Sequence, residues 1–105
     1  MIEKFKSRII HSHGLELFKK EDANSFVEEC EKNSIKIFGI DGFYLNETTI
    51  QPSMENSLDF SNLHFNVEKF VSQRGIYYVA KDFLNNLEDE RLFFEIAYDE
   101  MQTDS

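Results

Sequence analysis

Hydrophobic residues are most concentrated in the middle of the chain, where residues 35–45 read IKIFGIDGFYL. This run is rich in β-branched and aromatic side chains, and its apolar positions do not repeat every 3.6 residues as they would in an amphipathic helix. The pattern predicts a long strand that is buried on both faces. We expect the rest of the chain to pack around this strand.

Two turn signals lie in or just after the central run. Asp41 and Gly42, flanked by apolar residues, suit a two-residue hairpin turn, whereas residues 46–48 (NET) form a more polar turn segment. We favour a single strand that is kinked or bulged at Gly39 and Gly42 and turns at 46–48. Either geometry leads us to expect a positive φ at Gly42, which glycine adopts without strain.

Two stretches carry the apolar spacing of amphipathic helices. Residues 21–33 and 76–87 each place apolar side chains three or four positions apart. Glu21 and Asp22 favour the start of the first helix, because acidic side chains interact well with its free amide groups. The predicted apolar stripes are Ala23, Phe26, Val27 and Cys30 in the first helix, and Ile76, Ala80, Phe83, Leu84 and Leu87 in the second.

The two ends of the chain also show periodic patterns. Residues 2–10 fit either a strand or one face of a helix, and we favour the strand because Lys4, Lys6 and Arg8 would then share a solvent-facing side. Residues 91–99 (RLFFEIAYD) place Leu92, Phe94, Ile96 and Tyr98 on one face and Glu95 and Asp99 on the other, which predicts a closing strand.

The segment between the central strand and the second helix is less regular. We predict a short strand at 49–51 that is stopped by Pro52, because proline has no amide hydrogen to donate to a sheet. Residues 58–60 form another short alternating piece. Residues 61–75 lack a continuous pattern, which is typical of a loop.

These elements predict a single α+β domain over residues 1–105. Its mainly antiparallel sheet is centred on 35–45, with the two helices (about 21–33 and 76–87) packed on one face. A chain of 105 residues suits one hydrophobic core and is too short for two ordinary domains. Eleven Phe and four Tyr make that core aromatic, and we expect it to be lined by Phe26, Ile37, Phe83 and Phe94.

The chain is strongly acidic, with 20 Asp and Glu against 11 Lys and Arg and a formal net charge of −9. Such a protein repels nucleic acid and anionic lipid, because binding to either depends largely on Lys and Arg that neutralise phosphates. Tyr77 and Tyr78 could stack on bases, but too few cationic side chains surround them for that function. The charge instead favours a basic protein partner.

The sequence also indicates where the protein resides. Cys30 is the single cysteine, so no intramolecular disulfide can form, and its place on the apolar stripe predicts a buried, unreactive thiol. No segment approaches the ~20 apolar residues that span a membrane, and the N-terminus lacks the apolar run of a signal peptide. We therefore predict a cytoplasmic protein with no membrane partner, of unknown oligomeric state.

No catalytic or metal-binding motif is present in the sequence. His11 and His13 would point the same way on a strand, but a metal site needs three or four ligands and His64 is the one further histidine. Asp41 and Asp59 lie in apolar sequence where burial could raise their pKa, although no motif marks either as a general acid. We predict no enzymatic activity, no metal and no cofactor.

Five segments carry a resemblance to a known group of proteins. They are 22–26 (DANSF), 35–43 (IKIFGIDGF), 58–61 (LDFS), 80–84 (AKDFL) and 93–96 (FFEI). In their order and spacing they resemble small acidic bacterial immunity proteins of polymorphic and contact-dependent toxin systems. The resemblance implies a protein that acts by binding, with no catalytic residues.

The function that this resemblance implies is a cytoplasmic immunity protein that binds and neutralises a cognate bacterial toxin domain, such as a basic nuclease. The alternative is a small regulatory or scaffolding module for another protein partner. We expect contacts to the partner mainly from acidic side chains beside loops, with the ring of Tyr44 as a short-range anchor if it is exposed on the strand. The predicted partner-binding residues are Tyr44, Glu47, Glu55, Asp59, Glu88, Asp89 and Glu90.

Overall fold

Three strands form the centre of the protein in the computed structural model, which describes residues 2–60 and 73–99. In chain order the elements are a 3-10 helix (Ile2–Arg8), β1 (Ile10–Ser12), β2 (Leu15–Leu17), α1 (Lys20–Lys32), β3 (Ile37–Leu45), β4 (Ile50–Asp59), α2 (Gln73–Asn86) and β5 (Leu92–Tyr98). The predicted α+β class is confirmed, and β3 matches the central run of the sequence.

The sheet is antiparallel, with β3 between β4 and β5. The small β1–β2 hairpin joins this sheet at β5 through a pair of backbone hydrogen bonds. The amide of Phe18 donates to the carbonyl of Phe94 at 2.7 Å, and the amide of Phe94 donates back at 2.8 Å. The hairpin is therefore placed beside β5, on the opposite side from β3.

Both helices pack on the same face of the sheet, as predicted. Phe94 and Tyr98 project from the same side of β5. The ring of Phe94 packs edge to face against Phe83 of α2, with 6.5 Å between the ring centroids. The ring of Tyr98 packs edge to face against Phe26 of α1, with 5.0 Å between the centroids. The predicted stripe of α1 is fully buried. Phe83 is only partly buried, so the core is lined by the other three predicted residues and Phe83 packs at its edge.

The N-terminal segment is a 3-10 helix, so the predicted strand over 2–10 is wrong. Phe5 is only 4% exposed and packs edge to face against Phe18 and Phe26. Two basic residues of the segment pair with acidic residues of α1, Lys4 with Glu29 at 3.2 Å and Arg8 with Asp22 at 3.7 Å. The helical turn is favoured over a strand because it buries the phenyl ring of Phe5 and brings Lys4 and Arg8 to acidic residues of α1.

The return strand β4 is longer than predicted. Pro52 does not stop it but pairs with Phe43 inside the ladder, and the predicted pieces at 49–51 and 58–60 belong to one strand, Ile50–Asp59. Among the described strands β4 lies at an edge of the sheet, where a residue without an amide hydrogen is tolerated. The predicted turn at 46–48 is present, with the Asn46 amide donating to the Thr49 carbonyl at 2.9 Å.

The central strand is kinked but is not buried on both faces. Its register shifts between Ile37 and Gly39 against β5 and between Ile40 and Gly42 against β4, which confirms a bulged strand in place of a hairpin at Asp41. The side chain of Asp41 is exposed, because both helices cover the other face. The apolar run of residues 35–45 therefore predicts more burial than the strand has.

The predicted loop at 61–75 lies outside the described residues up to residue 72, and α2 has already begun at Gln73. Within the described helices, none combines the length and the apolar character needed to cross a membrane.

Candidate functional site

The face of the sheet opposite the helices carries a mixture of aromatic and acidic side chains. We call it the open face and define it by Asp41 and Phe43 on β3 and by Phe93, Glu95 and Ala97 on β5. The register pairs Phe43 with Phe93 and Asp41 with Glu95. Both phenylalanines are only half-buried, whereas the neighbouring β5 residues that face the helices are buried. Half-exposed aromatic rings on a face without a described helix are typical of a protein contact surface.

Asp41 and Glu95 place two carboxylates opposite each other. Asp41 is exposed but partly desolvated by the surrounding sheet, which raises its pKa, and the charge of Asp59 on β4 raises it further. Burial also raises the pKa of Glu95, and the charges of Asp41 and of Glu16 on β2 add to it. The open face is therefore crossed by a row of acidic groups that extends over four strands.

No described cation neutralises the central pair of that row. The ion pairs among residues 2–60 and 73–99 join Lys4 to Glu29, Arg8 to Asp22, Lys81 to Glu31 and Arg91 to Asp89, and none includes Asp41 or Glu95. Like charges directly opposite each other in a sheet are destabilising. The facing carboxylates therefore lower the stability of the sheet when both are charged.

A groove of about 460 Å³ lies beside Asp41. It runs over β3, with β4 on one side and β5 on the other. It is lined by Phe38, Gly39, Asp41, Met54, Ser57, Leu58, Asp59 and Ala97. Its apolar walls come from three strands, and Met54 at its rim is 85% exposed. The groove can therefore take a side chain with both an apolar stem and a positive charge.

The outer wall of the groove is a bulge in β4. Pairing with β3 passes from Ser53 to Leu58, so residues 54–57 stand outside the ladder. The hydroxyl of Ser57 accepts a hydrogen bond from the Gly42 amide at 3.1 Å and donates one to the Ser53 carbonyl at 2.7 Å. The side-chain amide of Asn56 donates to the hydroxyl of Ser53 at 2.9 Å. These bonds fix the bulge against the central strand.

Glycine is required at position 42 by this close approach and not by its backbone angle. A Cβ atom at Gly42 would collide with the carbonyl oxygen of Asn56, and one at Gly39 would lie 2.9 Å from the carbonyl oxygen of Leu58. The expected positive φ at Gly42 is wrong, since Gly14 is the one described glycine in that region, at φ 79°. The bulge is accommodated by β4, which folds over a position that has no side chain.

Tyr44 belongs to a second cluster, on the helix side of β3. Its hydroxyl donates a hydrogen bond to Asp89 Oδ2 at 3.0 Å, and the guanidinium of Arg91 donates to both oxygens of the same carboxylate at 2.9 and 3.0 Å. Hydrogen bonds from Arg91 hold the pKa of Asp89 well below its usual range, and the bond to Asp89 raises the pKa of Tyr44. The Tyr44 ring is half-buried, and its hydroxyl is already hydrogen-bonded within the protein.

The other predicted partner-binding residues are distributed over the surface. Glu47 is exposed in the β3–β4 turn, Glu55 is exposed on the bulge, and Glu88 and Glu90 are exposed before β5. Only Asp59 lies beside the open face, and its charge acts on Asp41. The binding role of all seven residues stays a prediction.

Sequence reasoning did not identify the contributions of Glu16 and Glu95 to the acidic row. The alternation of residues 92–98 does put Glu95 on the side away from the buried positions, which was the available signal. The register that brings it opposite Asp41 is a property of the folded sheet.

Other side chains that could react, stack on bases or bind a metal are explained by their local surroundings. Burial and the nearby charge of Glu29 raise the pKa of the Cys30 thiol to about 12, so it is unreactive at neutral pH. Tyr77 is buried, with its hydroxyl donating to the carbonyl of Ile35 at 2.6 Å. His13 accepts or donates a hydrogen bond with Ser12 at 2.7 Å. Within the described part of the chain, no group of three or more potential ligands could hold a metal ion.

Comparison of the chain with family models, with curated proteins and with solved structures gives no match.

Proposed function

We propose that this protein is an immunity protein, which captures a basic toxin domain on its open face and so neutralises it in the cytoplasm. The observation that carries the proposal is the facing pair of Asp41 and Glu95, which has no cation among the described residues. The resemblance of the sequence to small acidic immunity proteins supports the same function.

The charges favour a basic partner over other classes of ligand. The net charge of −9 attracts a cationic surface over about a Debye length, ~8 Å at physiological salt, and repels nucleic acid. Nucleases bind their substrate through basic surfaces. A toxin nuclease therefore has the charge that this face requires, and covering its basic surface would exclude the nucleic acid.

The aromatic pair supplies the second part of the proposed contact. Phe43 and Phe93 lie side by side next to the carboxylates, and both are half-buried in the free protein. Aromatic side chains at the centre of an interface commonly contribute most of the binding energy, whereas charges act mainly on the association rate. The carboxylates would thus increase the association rate, and the phenyl rings would decrease the dissociation rate.

The alternative function is a small regulatory or scaffolding module for a different basic protein. The same open face would serve it, since nothing in the aromatic and acidic pattern requires that the partner be a toxin. The two functions differ in what the partner does to a cell that lacks this protein.

The experiment measures binding to the protein encoded immediately upstream, at low and at high salt. Asp41→Asn with Glu95→Gln should slow association about tenfold at low salt, because two charges that steer the encounter are lost. Phe93→Ala should increase the dissociation rate about tenfold. Glu28→Gln is the matched control, because Glu28 is exposed on α1, away from the open face, and should change neither rate.

Coexpression separates the two functions. If the upstream protein arrests growth when produced alone and growth returns when both are present, the partner is a toxin. The proposal fails if no complex forms at micromolar concentration, or if the open-face variants bind and protect as well as the wild type.

A further inference from the structure

We propose that the groove between the β4 bulge and β5 receives a single arginine side chain of the protein partner. This inference rests on the proposed function for the identity of the partner, but the groove can be tested without it. It assigns a defined contact to a part of the surface that no predicted partner-binding residue except Asp59 touches.

The walls of the groove suit the stem of a long side chain. Phe38, Leu58 and Ala97 give it an apolar lining on three strands. Met54 at the rim is 85% exposed, and methionine adapts its shape to whatever packs against it. Long cationic side chains bury their methylene groups against surfaces of this kind while the charged end reaches polar groups.

The charge of the groove is complementary to such a side chain. Asp41 lines it, and the charge of Asp59 is close enough to act on Asp41. None of the described cations pairs with Asp41. A cationic group in the groove would therefore meet a carboxylate that has no opposite charge among the described residues.

Arginine fits better than lysine for two reasons. Its planar guanidinium can donate two parallel hydrogen bonds to one carboxylate and can stack on an aromatic ring, which Phe38 offers here. The guanidinium is also more weakly hydrated than an ammonium group, so it loses less hydration free energy when it enters an apolar groove.

The groove is already formed in the free protein. Hydrogen bonds of Ser53, Asn56 and Ser57 hold the bulge, and the missing side chain at Gly42 lets it lie close to β3. A preformed site does not have to be ordered when the ligand binds, which favours binding. The bulge thus acts as a fixed outer wall for the arginine.

The test uses the isolated protein and three short peptides that differ at one position. Acetyl-Gly-Arg-Gly-amide is titrated into isotope-labelled protein while amide chemical shifts are followed by NMR, with the lysine and citrulline peptides as comparisons. We expect saturable shifts from the arginine peptide that centre on Gly39, Leu58 and Ala97. The citrulline peptide, which keeps the shape and lacks the charge, should bind at least about tenfold more weakly.

Variants then locate the site. Asp41→Asn should weaken binding of the arginine peptide about tenfold, and Met54→Ala should weaken it several-fold without affecting the fold, because Met54 is exposed. Glu28→Gln should leave the affinity unchanged. The inference is overturned if the shifts spread over acidic residues elsewhere, if citrulline or lysine binds equally well, or if Asp41→Asn has no effect. Each of these results leaves the binding of the upstream protein to be decided by its own experiment.

Discussion

Asp41 on β3 and Glu95 on β5 are register partners, so the centre of the open face holds two carboxylates directly across from each other. The next pair along the same two strands is Phe43 and Phe93. A sheet selected only for stability would place opposite charges or apolar residues at such a pair. Under the proposed function, the pair of Asp41 and Glu95 serves the binding of a basic partner.

The first prediction concerns the cost of that pair. Glu95→Gln should raise the free energy of unfolding by ~0.5 kcal/mol at pH 7, because it removes a like-charge contact and keeps the size of the side chain. Urea denaturation measures the change, and Glu28→Gln on α1 is the control that should have little effect. A destabilised Glu95→Gln protein would show that the carboxylate has a favourable role in the fold.

The same variant should lose its advantage as the pH falls. Both carboxyls have a raised pKa in the folded protein, so the folded state binds protons more readily than the unfolded state. Stability from this source is lost as pH rises through the folded pKa and returns as pH falls toward the ordinary carboxyl pKa of ~4. Wild type and Glu95→Gln should therefore converge in stability in mildly acidic solution, and a constant difference would contradict this cause.

The second prediction compares two glycines. Gly42→Ala should destabilise by ~2 kcal/mol or more, because the added methyl group meets the carbonyl oxygen of Asn56 and displaces the bulge. Gly14→Ala should cost ~1 kcal/mol for a different reason, a φ of 79° with open space around the position. Thermal melting of both variants gives the ranking. A Gly42→Ala protein as stable as wild type would mean that the bulge moves freely.

The third prediction compares two core aromatics. Phe26 is fully buried and contacts Phe5, Phe18 and Tyr98, so Phe26→Ala should cost ~3–5 kcal/mol. Phe83 packs only at the edge of the core, and Phe83→Ala should cost ~1–2 kcal/mol. Denaturation of both variants tests the packing of the helices. The reverse order would place α2 with the wrong side toward the sheet.

The fourth prediction concerns the hydroxyl of Tyr44. Tyr44→Phe should destabilise by ~1 kcal/mol because it removes the hydrogen bond to Asp89 and leaves the ring in place. Tyr78→Phe is the matched control, since the Tyr78 ring is 70% exposed. Equal stability of the two variants would mean that the bond to Asp89 contributes nothing to the fold. Charge-reversal experiments on this loop should use Glu88 and Glu90 and leave Asp89 intact.

The sequence predicts well those elements whose apolar spacing is unambiguous. The stripe of α1 and the alternation of β5 each admit a single interpretation, and both are present in the fold. Residues 2–10 fit two templates, and the choice depended on whether Phe5 could reach the core, which is a tertiary contact. The predicted stop at Pro52 is wrong because the effect of a proline depends on whether its strand lies at the edge of the sheet. The order of elements along the chain does not reveal that position.

The candidate site was harder to predict than the fold, because its residues are far apart in sequence. Asp41 and Glu95 meet only through the register of β3 with β5, and Tyr44 meets Asp89 only through the fold around them. The charge count shows that the chain is acidic. It could not distinguish carboxylates that are engaged inside the protein, such as Asp89, from those that face outward.

The irregular path of β4 also bears on how the protein avoids aggregation. An outer strand with a continuous row of unpaired amide and carbonyl groups would template pairing with another chain. In β4, Pro52 contributes no amide hydrogen, and residues 54–57 leave the line of the strand. The strand that builds the groove is thereby a poor template for fibril growth, which matters for a chain with 14% aromatic residues.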